Sequence, residues 1–288
     1  MQNKYRFIAV SDLHGKIPRY EKLFSLIREE RPEAVFIAGD LTGGYYRILM
    51  GEILEDFILI YLRDNLLRLR QELQADYPAI FVILGNDDPR LLEEAMQQLE
   101  QEDLWHYMHN RRLKWSGFQI SGYSFVPPTP FQMKDWEKYD VSRYVDVGAI
   151  APDAGFRTID ADPLELEWGT IQRDLELIYD DFDLSSDICL FHSPPYKTLL
   201  DRAALDGKMI DYAPLDVHVG SIAIKNFITR KQPLLTIHGH VHESTRLTRS
   251  WQDKISAATM FNASHDSKEL AVIRFDPGEL KAAKRRLL

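Results

Sequence analysis

Ala34-Val-Phe-Ile-Ala-Gly-Asp40 is the stretch of sequence that decides the fold, because five apolar residues lead directly into a glycine and a carboxylate. A short, wholly apolar run is typical of a strand buried on both faces, as in a parallel sheet. A similar run, Tyr5 to Val10, precedes Asp12, and another, Ala79 to Leu84, precedes Gly85-Asn86. Helical patterns separate these runs, so the sequence predicts an α/β protein with a largely parallel sheet.

The rest of the chain adds strands, helices and one long irregular segment. Residues 126–162 are rich in Pro, Gly, Asp and aromatic residues without a period, which predicts a long loop. The basic residues at the C-terminus are expected to be frayed. Without a linker or repeat, we expect a single domain over residues 1–288. Helices are predicted up to about 30 and over about 52–75, 168–181 and 221–230; further strands are predicted at 187–191, 234–237 and within 243–275.

The composition excludes several classes of protein. A chain of 288 residues that is 45% hydrophobic can bury a full core. Its net charge of −9 argues against a nucleic-acid partner, which needs a basic surface. The single cysteine, Cys189, favours a reducing compartment. The first residues show no signal-peptide pattern and the apolar run Phe57–Leu62 is short, so we expect a soluble cytoplasmic protein that does not span a membrane. The oligomeric state cannot be read from the sequence.

Polar side chains that can ligate a metal follow five of the predicted strands. Because the carboxyl ends of parallel strands form one edge of a sheet, these groups are expected to meet in one cleft. Glycines beside them permit tight turns and close approach of the backbone. The side chains are Asp12 and His14, Asp40, Asn86 with Asp87 and Asp88, His192, and His240 with His242.

The composition of this set predicts a centre of two metal ions. Carboxylate, carboxamide and imidazole groups without a thiolate pair suit Mn, Fe, Zn, Ni or Co and not a structural zinc site. Two ions about 3.5–4 Å apart can bind the attacking and leaving oxygens of a displacement at phosphorus, which predicts a small phosphoester substrate. The seven predicted ligands, too many for one tetrahedral ion, are Asp12, His14, Asp40, Asn86, His192, His240 and His242.

Each of these residues has an alternative interpretation when it is taken alone. A helix cap, a turn residue and a loop histidine bonded to the backbone are all common roles, and only the whole set favours a metal site. His238 lies one register back on the strand, two residues before His240, and is expected to be a bonded core histidine or an outer partner of a ligand and not a further ligand. For Asn262 and His265 a structural role is favoured. For His218 two interpretations remain, a contact with the substrate or a position at a helix cap or on the surface.

At these positions the chain resembles the calcineurin-like metallophosphoesterase superfamily. Residues 191–196, 218–221 and 238–244 are also similar to the bacterial and archaeal branch related to cyclic-nucleotide phosphodiesterases. The resemblance implies a layered αββα sandwich with a dinuclear site at the C-terminal ends of the strands. The motifs that carry it are Asp12-Leu-His14-Gly15, Gly39-Asp40-Leu-Thr-Gly43, Gly85-Asn86-Asp87-Asp88, His192 and Gly239-His240-Val-His242.

The resemblance also implies a role for each ligand. One ion would be held by Asp12, His14 and His242, and the other by Asn86, His192 and His240. Asp40 would bridge the two ions. A hydroxide between them would attack phosphorus, while the metals and the surroundings of His240 would stabilise the developing charge.

The chain departs from the family pattern after Asn86. Many members have a histidine there that protonates the leaving group, followed by an aspartate that orients it. Here the pair is Asp87-Asp88, and a carboxyl group is an acid at neutral pH only if its pKa is raised. The residues expected to be catalytic are Asn86, Asp87, Asp88 and His240. Another residue, such as His218 or His265, could supply the proton instead.

Three functions therefore remain open at the level of the sequence. The favoured one is hydrolysis of a phosphodiester. The same metals could serve a phosphomonoesterase that acts on a nucleotide or a phosphoprotein. A metal-binding scaffold without catalysis is disfavoured, because none of the seven ligands is missing.

Overall fold

Two six-stranded sheets form the centre of the computed structural model, which describes residues 6–288 apart from the side chains of Tyr45, Tyr46 and Leu49. Tyr5, where the first predicted strand begins, lies outside the described residues. The strands are β1 (Phe7–Val10), β2 (Ala34–Ala38), β3 (Ala79–Ile83), β4 (His106–Tyr107), β5 (Arg111–Trp115), β6 (Phe118–Tyr123), β7 (Asp187–Phe191), β8 (Met209–Ile210), β9 (Ala213–Pro214), β10 (Leu235–His238), β11 (Gln252–Ile255), β12 (Ala258–Asn262), β13 (Ala271–Phe275) and β14 (Lys284–Leu287).

Both sheets have four parallel strands in a row. The first sheet has the order β14-β13-β1-β2-β3-β4, in which β1 to β4 are parallel and β13 pairs antiparallel with both β1 and β14. The second has the order β11-β12-β10-β7-β6-β5, in which only the outer strands β11 and β5 are antiparallel. The predicted parallel sheet is confirmed, and it occurs twice.

The layer between the sheets is filled by alternate residues of the central strands. Phe7 and Ala9 of β1 point into it, together with Phe36 of β2 and Phe81 of β3, while Ile8 and Val10 point the other way. This alternation follows from the two-residue period of a strand. The outward side chains pack against helices, so the predicted αββα sandwich is confirmed.

Helices cover the outer faces of both sheets. They are α1 (Ile17–Glu30), α2 (Gly44–Leu49), α3 (Leu54–Asp56), α4 (Arg63–Leu73), α5 (Glu93–Gln101), α6 (Pro163–Trp168), α7 (Ile171–Tyr179), α8 (Ile222–Lys231) and α9 (Ser244–Thr248). The helix predicted over 52–75 is divided, because a π-helical segment, Phe57–Leu62, separates α3 from α4. Six apolar residues in a row show no apolar stripe along one helix face. The sequence therefore does not indicate where the α-helix changes to a π-helix. None of the helices in residues 6–288 has the length and apolarity needed to cross a membrane.

The expectation of a frayed C-terminus is wrong. Strand β14 is the edge of the first sheet, with Ala271 opposite Leu287. Arg285, which is partly buried, donates to the carbonyl of Ser264 at 2.7 Å, while Lys284 and Arg286 are exposed. Basic side chains are common on edge strands, because they discourage pairing with a further chain.

The irregular segment predicted at 126–162 contains no helix or regular strand. A fully buried ion pair between Lys134 and Glu137 anchors it, and Thr129 donates both its backbone N–H and its hydroxyl to Glu137. The segment is therefore packed around a satisfied polar centre.

Candidate metal centre

The predicted ligands lie in loops that follow β1, β2, β3, β7 and β10. Three of these strands belong to the first sheet and two to the second, so both sheets contribute to one site. Contacts across the two sheets show the convergence. Nε2 of His242 lies 2.9 Å from Oδ1 of Asp12, and Nε2 of His192 lies 3.3 Å from Oδ1 of Asp40.

One half of the site is a compact group of two carboxylates and two imidazoles. Asp12, His14, Asp40 and His242 each offer one ligand atom, and these atoms all lie within 4.8 Å of one another. The Nε2 atoms of His14 and His242 are only 3.1 Å apart. A divalent cation would satisfy these converging lone pairs, and the donor set suits a transition metal.

Asp40 joins this half to the other. Its Oδ2 lies 3.8 Å from Nε2 of His14, whereas its Oδ1 faces Nε2 of His192. Burial opposes ionisation of this carboxyl group, but the neighbouring histidines His192 and His14 hold its pKa well below its usual range. A single ionised carboxylate thus presents one oxygen to each group of ligands.

The second half contains buried polar atoms that lack a hydrogen-bond partner. Among the described residues, Oδ1 of Asn86 has no hydrogen-bond partner, and Nε2 of His192, although it lies 3.3 Å from Oδ1 of Asp40, does not form a hydrogen bond. The ring of His240 completes the group, with its centroid 5.3 Å from that of His192. A buried polar atom without a partner is costly, and a bound cation would remove that cost. Both halves therefore fit a divalent metal ion.

Four of the predicted ligand residues have backbone conformations that are unfavourable for residues other than glycine. Their φ angles are +57° for Asp12, +50° for His14, +54° for Asp40 and +69° for His240. The left-handed region costs such residues about 1 kcal/mol or more, and strained residues cluster at functional sites. The loops hold the ligands in place at the expense of local stability.

Glycines provide the space in which the ligands meet. A Cβ atom on Gly85 would lie 2.3 Å from Oδ1 of Asp40 and 2.6 Å from Nε2 of His192. A Cβ atom on Gly239 would lie 2.5 Å from Oδ2 of Asp12. Gly44 was missed in the sequence: a Cβ atom there would lie 1.6 Å from the carbonyl oxygen of Asp87. The two adjacent glycines after Asp40, Gly43 and Gly44, could have indicated this close approach of the backbone.

The sequence profile of the calcineurin-like phosphoesterases matches residues 5–244. The chain belongs to this family. It is a metallophosphoesterase, a hydrolase of phosphoric esters, and the buried Asp and His groups fit the divalent metals of the family's dinuclear site.

Solved structures share the fold of this phosphoesterase at low sequence identity. Protein TT1561 of Thermus thermophilus is 14% identical over 99% of both chains, with a TM-score of 0.54. A dimetal phosphatase from Danio rerio is 15% identical over 93% of this chain and 92% of its own, with a TM-score of 0.50. A third structure is 17% identical over 99% of this chain and 98% of its own, with a TM-score of 0.57. No curated protein matches the sequence significantly.

Two of the histidines that are predicted to be ligands have Nδ1 within hydrogen-bond distance of an acceptor. Nδ1 of His192 lies 2.7 Å from the carbonyl oxygen of Ala38, and Nδ1 of His14 lies 2.9 Å from Oδ2 of Asp87. Nε2 of each ring is thereby directed at Asp40. Burial raises the pKa of the Asp87 carboxyl group.

Asp88, which was predicted to be catalytic, does not face the cleft. Its side chain is fully buried, and burial raises its pKa to about 6. Oδ1 accepts hydrogen bonds from the backbone and hydroxyl of Thr42, both at 2.8 Å, and Oδ2 accepts from the backbone of Leu41 and Gly85. These contacts tie the loop after β2 to the loop after β3, which favours a structural role.

The remaining polar residues lie outside the ligand set. His238 is buried with both nitrogens bonded, to the carbonyl of Ser193 and to the hydroxyl of Thr236. The side-chain amide of Asn262 donates to the carbonyl oxygen of Val241, which lies between His240 and His242. These contacts agree with the structural roles expected for both residues.

In the part of the chain that the structure describes, neither of the alternative proton donors, His218 and His265, forms a side-chain hydrogen bond or an ion pair with any of the seven predicted ligands. Nδ1 of His218 lies 2.9 Å from the buried Asp201, and Nε2 of His265 lies 3.2 Å from the hydroxyl of Ser267. The geometry assigns neither of them to the reaction.

Proposed function

We propose that the chain hydrolyses phosphodiesters with two divalent transition-metal ions. The observation that carries this proposal is Asp40, whose two carboxylate oxygens face different groups of ligands. In the proposed arrangement one ion is held by Asp12, His14 and His242, the other by Asn86, His192 and His240, and Asp40 serves both.

The bound ions would lower the pKa of a water molecule, which makes it available as the nucleophile, and would offer positive charge to the phosphoryl oxygens. The chain supplies a fixed and partly buried site for these ions. The backbone N–H of His240 donates to Asp12 at 3.2 Å, and the backbone N–H of Asp87 donates to Asp40 at 2.9 Å, so both carboxylates are held in place.

The exposed side of the site defines the direction from which a substrate arrives. Asp12, Asp40 and His192 form a buried floor, whereas the side chains of His242 and Asp87 are 32% and 36% exposed. A phosphoester would therefore approach past His242 and Asp87.

Two arginines next to the ligand loops, Arg19 and Arg47, are engaged by other groups, which favours a diester over a monoester. A monoester brings a second negative charge, which a free guanidinium group would balance. Arg19 instead donates to the carbonyls of Asp12 and Ser267, and Arg47 is paired with Glu52 while it donates to Thr42. The smaller charge of a diester fits this environment better.

The test compares two chromogenic substrates on protein loaded with Mn²⁺. We expect turnover of bis(p-nitrophenyl) phosphate to exceed that of p-nitrophenyl phosphate. Asp40→Ala should lose turnover of both, with about two ions bound by the wild-type protein and fewer by the variant. A preference for the monoester would contradict the diester proposal. Full turnover by Asp40→Ala would contradict the role of Asp40 as the shared ligand.

A further inference from the structure

The position where many family members have a histidine is occupied here by Asp87, and its carboxylate is already engaged. Oδ2 of Asp87 lies 2.9 Å from Nδ1 of His14. The other nitrogen of the same ring, Nε2, faces Asp12 and Asp40 at 3.8 Å each, and His242 at 3.1 Å. One imidazole thus connects Asp87 to the proposed metal ligands.

The chemistry of imidazole fixes the direction of this hydrogen bond when a metal is bound. A histidine that ligates through Nε2 carries its proton on Nδ1, and that N–H needs an acceptor. Carboxylates are common acceptors for metal-bound histidines, because they fix the tautomer and make the ring a better ligand. Asp87 is the acceptor that the structure provides for His14.

The backbone around Asp87 is itself fixed. Its N–H donates to Oδ1 of Asp40 at 2.9 Å, and its carbonyl packs against the α-carbon of Gly44. His192, on the opposite side of Asp40, receives an equivalent restraint from the carbonyl of Ala38. A backbone carbonyl orients one histidine and the Asp87 carboxylate orients the other.

We propose that Asp87 is a positioning residue that orients His14 as a ligand of one metal ion. This inference rests on the proposed dinuclear site and goes beyond it, because it gives Asp87 a role other than protonation of the leaving group. It predicts that Asp87 affects the ion at Asp12, His14 and His242 selectively.

The test is a calorimetric titration of metal-free protein with Mn²⁺. Asp87→Ala should weaken one of two sites by about 10–100-fold, the usual effect of losing an outer partner of a metal ligand. The second site should change by less than about twofold, which also shows that the variant is folded. Asp87→Asn keeps an oxygen that can accept the Nδ1 proton and should recover most of the lost affinity. Asp76→Ala removes a half-exposed carboxylate that pairs with Arg31 and serves as the matched control.

A second comparison shows whether Asp87 acts through His14. In a His14→Ala background, adding Asp87→Ala should leave the Mn²⁺ affinities unchanged, since residues that act as a unit are not additive. Wild-type affinity for both ions in Asp87→Ala would overturn the proposal, and a selective loss of activity on esters with poor leaving groups would then identify Asp87 as an acid. Protein that binds two ions but cleaves no diester would overturn the proposed function alone, because the titration does not depend on turnover.

Discussion

Replacing Gly85 by alanine would place a single methyl group at the meeting point of the ligands. The new Cβ would lie 2.3 Å from Oδ1 of Asp40, 2.6 Å from its backbone nitrogen and 2.6 Å from Nε2 of His192. Ordinary carbon contacts begin at about 3.5 Å, so each of these atoms has to move by roughly 1 Å. The backbone nitrogen of Asp40 cannot rotate away from the new methyl group.

The size of the effect differs between stability and metal binding. Overpacking a tight site costs about 1–3 kcal/mol, which for a chain of this size lowers the melting temperature by several degrees at about 2–4 °C per kcal/mol. Metal–ligand distances tolerate only about 0.2 Å, so a displacement five times larger should remove most of the affinity at the site shared by Asp40 and His192. We therefore expect Gly85→Ala to fold and to bind metal poorly.

Thermal unfolding with and without Mn²⁺ measures both effects in one experiment. A ligand at 100 times its dissociation constant stabilises a protein by about 2.7 kcal/mol, so the wild-type melting temperature should rise on addition of metal. For Gly85→Ala the rise should be largely lost. Gly278→Ala is the matched control, because its new Cβ would meet only the Asp276 side chain, at 3.2 Å. If Gly85→Ala showed the full metal-induced rise, the gap between Asp40 and His192 would not be the metal site.

Three further replacements test other parts of the structure. Asp88→Ala would leave four donors without an acceptor, so urea unfolding should show a loss of more than about 3 kcal/mol; an unchanged stability would refute the structural role. Lys134→Met would leave Glu137 buried and unpaired, which should cost about 3–5 kcal/mol and expose residues 126–162 to limited proteolysis; proteolysis at the wild-type rate would argue against the anchor. His109 is buried, and burial together with nearby cations holds its pKa well below 6.5, so the stability it contributes is present above pH 6.5 and is lost as the pH falls. Between pH 6.5 and 5.5 the wild type should lose about 1 kcal/mol more than His109→Asn in urea unfolding; parallel pH profiles would show that His109 is not a buried neutral histidine.

The central strands could be predicted because their signal is local. In β2, five buried apolar residues are followed at once by Gly39 and Asp40, and this pattern alone places a strand and the loop that bears a ligand. The convergence of the ligands followed from the parallel arrangement, since all of these loops lie at carboxyl ends of strands.

The features that escaped prediction depend on residues distant in the chain. The partners of Asp88 in the loop after β2 lie 46 and 47 residues away, and His14 lies 73 residues from Asp87. No local pattern indicates such pairs. Strand β14 was missed for a related reason, because a basic terminal segment becomes a strand only when β13 offers its edge.

The division of the predicted ligands between the two sheets would make each metal ion a cross-link of the sandwich. The first ion would join Asp12 and His14 of one sheet to His242 of the other, and the second would join Asn86 to His192 and His240. Because neither set would be complete until the layers have docked, tight binding of both ions should require the assembled sandwich. Removal of the ions with a chelator should therefore weaken the packing between the two sheets before it weakens either sheet. Hydrogen exchange of the amides at the carboxyl ends of the strands would show this order.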